Sequence, residues 1–348
     1  MQMIRLLALL LLVSAALPAQ AAVILLYHHV SDTTPAATSV TPAQFREHLQ
    51  RLDDEGFEVV RLDELVQRVR DGADPQEKLA SITFDDAYDS IINNAIPMLE
   101  ERGWQATVFV ATEPVQQRRR PMMSIDQIRA LHQRGHLMVN HSHTHPHLVR
   151  RQDGESSRAW RKRISDDVQR GQALLEEWIG ESLPKYFAYP YGEHDPAVRG
   201  LLGDLGYIGF AQRSGALDSN VNWLDVPRIP VNRQFANWDG LGDKVRALPM
   251  PVSRVTPDTS ITEEARPSFE LTLPESWQGR GLNCFARGQA AKTEWTARQD
   301  AARVRVTPAG DLAAGRSLVN CTASAGDGRF YWYSHLWMHK ADGRWYAE

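Results

Sequence analysis

The sequence predicts an α/β chain in which a parallel barrel is followed by a small all-β sandwich. Three observations predict it. From Val23 to about Val231, short apolar runs alternate with helix-period segments, the pattern of parallel strands joined by right-handed crossovers. The polar signatures of this region fall just beyond the C-terminal ends of the apolar runs, the face on which α/β barrels carry their sites. After Pro267 the pattern changes to two-residue alternation, as in Phe269-Glu270-Leu271-Thr272-Leu273. An open doubly wound sheet fits less well, because no glycine-rich phosphate turn follows the first strand.

The elements follow in order. Arg5, the apolar run Leu6 to Ala16 and the small-residue site Ala19-Gln20-Ala21 predict a signal peptide over residues 1–21. No cysteine follows that site and no later apolar run could span a bilayer. The expectation is an exported, unanchored protein, periplasmic or extracellular. Val23 to Tyr27 is uniformly apolar, as a strand buried on both faces should be. Thr41 and Pro42 are a helix cap and first-turn proline, and Phe45, Leu49 and Leu52 repeat at helical spacing until Gly56. Further strands are expected at 57–60, 79–84, 106–110, 137–139, 186–189, 207–211 and 226–231, with helices near 62–69, 90–102, 124–134 and 157–179.

This divides the chain into a catalytic domain at 22–243, a proline-rich linker at 244–267 and a sandwich at 268–348. Cys284 and Cys321, both in the last segment, are expected to form a disulfide once exported. A formal net charge of -4 argues against nucleic acid as a partner, and a monomer is expected. The C-terminal aromatics Tyr331, Trp332, Tyr333, Trp337 and Trp345 could stack on sugars, but filling a small β core is the simpler reading.

The chemistry concentrates in two places. Thr83-Phe84-Asp85-Asp86 ends a buried strand on two carboxylates, which point to different sides of an extended chain. Histidines 141, 143, 145 and 147 follow another strand. One carboxylate and two imidazoles suit a divalent metal, and the second carboxylate could act as base. Spacing alone leaves the imidazole pair open between His141/His145 and His143/His147.

These segments resemble the motifs of the polysaccharide deacetylase family (NodB-homology, carbohydrate esterase family 4). Thr83 to Asp86 looks like the first motif, and His141-Ser142-x-x-His145-Pro146-x-Leu148 like the second. Phe187-Ala188-Tyr189-Pro190-Tyr191-Gly192 resembles the third, and Leu26-Tyr27-His28 the element that supplies the catalytic acid in the permuted poly-N-acetylglucosamine deacetylases. The resemblance implies a (β/α)7-type distorted barrel and one divalent metal on Asp86, His141 and His145, usually zinc, with Co2+ or Ni2+ as substitutes. It implies Asp85 as base, His28 as acid and the Tyr191 backbone N–H as oxyanion donor. His29 is the alternative acid, set aside because it points to the opposite face of a strand. Tyr189, Pro190 and Trp223 are assigned to substrate binding. Ala188 stands where many members carry an arginine beside the base, and Arg228 in Pro227-Arg228-Ile229-Pro230 could fill that role from a later strand.

The expected function is removal of N-acetyl groups from N-acetylglucosamine-containing polysaccharide. The alternatives are an O-acetyl esterase of the xylan type and a non-catalytic carbohydrate-binding protein. Because every catalytic candidate precedes Val231, the last domain is expected to be dispensable for the chemistry.

Overall fold

The computed structural model describes residues 22–72, 77–298 and 300–346; the expected signal segment lies outside them. Eight strands form the first sheet: β1 (Val23–Tyr27), β2 (Glu58–Val59), β3 (Leu79–Asp85), β4 (Thr107–Val110), β5 (Leu137–Asn140), β6 (Tyr186–Ala188), β7 (Ile208–Phe210) and β8 (Ile229–Pro230). Their spatial order is β8-β1-β3-β4-β5-β6-β7, with β2 beside the start of β3, and every pairing is parallel. β1 and β3 are buried at every position, as the unbroken apolar sequence of β1 requires of a strand covered on both faces.

The last segment joins the sheet's two edges. Val226 bridges Phe210 of β7, and three residues on Ile229 pairs with Leu25 of β1. The expected distorted barrel with helices outside it is therefore what forms. Capping chemistry sets the helices: Thr41 and Ser124 each form a reciprocal capping box, with Gln44 and Gln127. The helix expected over 90–102 differs, opening with a π-helical turn, Ile91–Ala95, before the α-helix Ile96–Glu100. Pro97 lacks the N–H that an α-helical turn would use there.

The C-terminal strands form a separate domain of two facing sheets. Phe269–Leu273, Lys292–Arg298 and Ala301–Thr307 lie in one, and Leu282–Ala286, Gly315–Ser324 and Phe330–His339 in the other. Phe269, Leu271, Val304, Cys284, Cys321 and Trp337 pack between them. The stretch read as a linker is woven into these sheets: Leu248–Pro249 and Ile261–Thr262 pair with Phe330–His339, and Arg254–Thr256 pairs with Phe269–Leu273. Its prolines sit at strand edges and turns, where a missing N–H costs nothing.

Phe330–His339 is expected to alternate between buried and exposed, yet Ser334 to His339 are all buried. Trp337 faces the sandwich core, while Leu336 and Met338 pack on Leu148, Tyr189 and Leu202 of the barrel. The sandwich is docked on the barrel, not tethered beside it. Trp337 fills core as expected, and Tyr333 is covered by the Arg213 guanidinium 5.6 Å from its ring. No helix of the described residues is long and apolar enough to cross a membrane.

Cys284 and Cys321 face each other on neighbouring antiparallel strands and are disulfide-bonded across 37 residues of sequence. Replacing both with serine removes a loop-closing constraint on the unfolded chain. The C-terminal domain should lose roughly 3–4 kcal/mol of unfolding free energy. Urea denaturation followed by tryptophan fluorescence measures it.

Candidate active site

The site is built where β3, β5 and β8 deliver side chains to one end of the barrel. β3 ends on Asp85, and the next two residues, Asp86 (φ 73°) and Ala87 (φ 62°), take left-handed backbone conformations. Such strain in non-glycine residues persists only where the surroundings over-determine it. The turn sends the two adjoining carboxylates to different partners.

Asp85 is 2% exposed and meets Arg228, itself 0% exposed, in a two-pronged pair: Nη1 to Oδ1 at 2.7 Å and Nη2 to Oδ2 at 2.8 Å. Arg228 also donates Nε–H to the Ala211 carbonyl at 3.0 Å, and its guanidinium lies 4.8 Å from the centre of the Phe109 ring. Burial opposes the charge on Asp85, but Arg228, with His141, holds its carboxyl below the usual carboxylate range. Arg228, the residue before β8, thus stands beside Asp85.

Asp86 turns the other way. Its Oδ1 lies 3.4 Å from His141 Nε2 and 3.3 Å from His145 Nε2, and one ligand atom from each of the three residues falls within 4.8 Å of the others. His141 Nδ1–H donates to the Ala188 carbonyl at 2.9 Å, which orients the ring with Nε2 toward Asp86. A carboxylate oxygen and two imidazole nitrogens so arranged fit a zinc-like divalent ion.

The turn after β5 selects the pair of histidines. Ser142 (φ 72°) and His145 (φ 55°) are left-handed, and the Ser142 hydroxyl accepts the His145 N–H at 2.9 Å. Asn140 Oδ1 accepts the Ser142 N–H at 2.8 Å. Gly171 of the helix Ser157–Ile179 makes room for this turn: a Cβ there would sit 2.8 Å from Asn140 Oδ1 and 2.9 Å from the Ser142 carbonyl carbon. His143 is turned away, with Nδ1 2.9 Å from Thr112 Oγ1, and His147 Nδ1 lies 2.9 Å from Glu193 Oε2.

His28, just past β1, faces the cluster, with Asp85, Asp86 and His141 as its charged neighbours. Burial lowers its pKa, and the two carboxylates partly offset that. His29 points elsewhere, stacked on Tyr88 at 3.7 Å with Nδ1 3.3 Å from Ser90 Oγ. Tyr191 (φ 57°) lies in the turn Pro190–Gly192 with its ring centre 4.5 Å from that of His145.

Two of the three residues assigned to substrate binding are engaged elsewhere, and the third, Pro190, lies in the turn that carries Tyr191. Tyr189 is 0% exposed and donates its hydroxyl to the Leu224 carbonyl at 2.6 Å, so it is a core residue. Pro190 is also buried. Trp223 packs against the apolar cluster of Ile24, Leu62 and Val66 and lies 4.6 Å below the Arg70 guanidinium. Arg70 ends the helix after β2, at the opposite end of the barrel from Asp85. Sequence reasoning also missed Gln212, whose Nε2 lies 3.4 Å from His28 Nε2. Its position two residues past β7, at the same sheet end as Asp85, was the available signal.

Residues 72–209 match the family model described as polysaccharide deacetylase. The chain carries a polysaccharide deacetylase domain. A poly-beta-1,6-N-acetyl-D-glucosamine N-deacetylase of Staphylococcus aureus is 25% identical over 217 residues, 59% of this chain and 74% of that protein. YxkH of Bacillus subtilis is 24% identical over 196 residues, 56% of this chain and 66% of that protein. Among solved structures, IcaB from Ammonifex degensii superposes with a TM-score of 0.56 at 23% identity, covering 66% of this chain and 99% of that one. The deacetylase PplD of Streptococcus pyogenes, solved with acetate, gives 0.56 at 21%, with the same coverage. These structures share the barrel fold. In the deacetylase domain of this chain, an enzyme of the hydrolase class, that fold holds the acid pair and the histidines as described.

Removing Arg228 tests the electrostatics directly. Arg228→Met leaves a buried, unpaired Asp85 carboxylate and should destabilise by roughly 3–5 kcal/mol at neutral pH. Asp85 has a depressed pKa in the folded parent, so the pair stabilises above the unfolded carboxylate pKa and is lost as pH falls through the folded one. The variant's deficit should therefore shrink toward acid pH. Asp85→Leu/Arg228→Met should lose less than Arg228→Met alone. Urea titrations across pH check both; a pH-independent deficit would contradict the pairing.

Proposed function

We propose that the chain is a divalent-metal-dependent N-deacetylase acting on N-acetylglucosamine-containing polysaccharide. The observation that carries this reading is the division of two adjoining carboxylates between two tasks, Asp86 toward two imidazoles and Asp85 toward an arginine. A carbohydrate-binding module needs neither. The S. aureus relative, named for the β-1,6-linked polymer, supports the choice of substrate.

Asp86, His141 and His145 would hold the metal, zinc or in its place Co2+ or Ni2+, which supplies Lewis acidity toward water and the acetyl carbonyl oxygen. Asp85 takes the proton of the attacking water. Arg228 keeps that carboxylate ionised beforehand and fixes both of its oxygens. The Tyr191 backbone N–H is assigned to the oxygen on which charge develops. Hydrolysis forms a carbon–oxygen bond and breaks the carbon–nitrogen bond, and the leaving nitrogen needs a proton. We assign that donation to His28, which lies just past β1 beside Asp85, Asp86 and His141. The disulfide supports export to an oxidising compartment, periplasmic or extracellular.

Acetate release from β-1,6- and β-1,4-linked N-acetylglucosamine oligomers, compared with acetylated xylan, with and without chelator, tests the reading. Asp85→Asn and His28→Ala should keep fold and metal while losing roughly 10²–10⁴-fold in kcat. Near-normal turnover in His28→Ala would move the acid to His29. His145→Ala should lose metal and activity together, whereas His147→Ala should keep the metal; the reverse would refute the ligand set.

A further inference from the structure

The C-terminal domain touches the rim of the site at two points that belong to one surface patch. On one side, the Tyr191 ring is held between His145 and His147, with a ring-centre distance of 4.1 Å and an interplanar angle of 12° to His147. His147 is anchored in turn by Glu193, whose side chain is completely buried. The remaining donors to Glu193 are Arg150 Nη2, at 3.4 Å, and the Tyr346 hydroxyl. Tyr346 is itself fixed, since Arg150 donates to its carbonyl at 3.2 Å and lies 4.8 Å from the centre of its ring.

On the other side stands Gln212. Gly192 (φ 68°) touches it so closely that a Cβ at 192 would lie 2.5 Å from the Gln212 Cβ. Arg316 Nη1 donates to Gln212 Oε1 at 3.0 Å, and Gln212 Nε2 lies 3.4 Å from His28 Nε2. Arginine has no acceptor, so this contact fixes the amide with its oxygen toward Arg316 and its NH2 group toward His28 Nε2, which accepts from it in the neutral imidazole. Gly315, next to Arg316, faces the Tyr346 ring: a Cβ there would lie 3.9 Å from the ring's Cγ. One patch of the last domain thus reaches both the Tyr191 turn and the His28 imidazole.

We infer that the C-terminal domain is part of the catalytic apparatus. Tyr346, through Glu193 and His147, positions the Tyr191 turn, and Arg316, through Gln212, positions His28. This rests on the deacetylase reading and assigns a use to His147, one of the two histidines of the run outside the candidate metal cluster. Both are positioning residues, because neither touches the reacting atoms. The expectation that the last domain is dispensable for the chemistry is thereby replaced.

The two sides can be told apart by leaving group. An amide nitrogen must be protonated to depart, whereas the phenolate of an activated aryl acetate departs without a proton. Both substrates place charge on the carbonyl oxygen. In the full-length protein, Tyr346→Phe should lower kcat roughly 10-fold on an acetylated glucosamine oligomer and on 4-nitrophenyl acetate alike, since small misplacements cost this much. Arg316→Ala should lower the ratio of oligomer to aryl acetate turnover by roughly 10-fold, and Arg316→Lys, which keeps a donor, should restore most of it. KM, metal content and melting temperature should match the parent in all three variants.

Parental kcat in both Tyr346→Phe and Arg316→Ala would overturn the inference, as would losses that track metal content or melting temperature. An equal loss on both substrates in Arg316→Ala would overturn the assignment of Arg316 to His28. If the parent releases acetate from no oligomer and Asp85→Asn leaves aryl acetate hydrolysis unchanged, the deacetylase reading fails and this inference with it. An active parent with unaffected variants sinks this inference alone.

Discussion

The site depends on one buried ion pair. Asp85 is shut away from water, and a carboxylate in that position would ordinarily take up a proton. Arg228 prevents this with two parallel hydrogen bonds, and its remaining contacts, to the Ala211 carbonyl and the Phe109 ring, hold it at one angle. Those groups come from β4, from the residue after β7 and from the segment that joins β7 to β1. The ion pair therefore exists only when the barrel's edges have met. Closing the barrel and charging the candidate base are the same event.

The histidine side shows how backbone geometry assigns chemistry to near-identical side chains. Four histidines alternate with other residues from 141 to 147, yet two left-handed residues, Ser142 and His145, break the alternation. His141 and His145 converge on Asp86, His143 goes to Thr112 and His147 goes to Glu193. The turn holds because Asn140 and Ser142 satisfy its N–H groups and because Gly171 leaves room for it. Ala188 contributes its backbone carbonyl to orient His141.

The C-terminal sandwich changes its role once residues 334–339 of its last long strand are seen to be buried on both faces. Odd-numbered residues such as Trp337 complete its own core, and even-numbered ones such as Leu336 and Met338 complete the barrel's. An apolar seam of this kind couples the two bodies, so small polar contacts at its edge keep a defined geometry. Tyr346 and Arg316 sit at that edge, beside the Tyr191 turn and Gln212.

The sequence by itself determined the barrel, the bounds of its strands to within three residues, the acid pair, the histidine run and the cysteine partners. Each of these is written in local periodicity, in strand-end position or in a short motif. It also named Arg228, though it could not say whether that arginine reached Asp85, because 143 residues separate them. Only the tertiary structure decided that Tyr189 and Trp223 are packed away from the site, since burial depends on what the rest of the chain lays against a residue. It likewise turned the proline-rich stretch at 244–267 from a linker into strand edges and brought Gln212 to His28. The physical reason is common to all of these. A strand pattern or a motif is a property of neighbours in sequence, whereas an ion pair, a buried face or a docked domain is a property of neighbours in space.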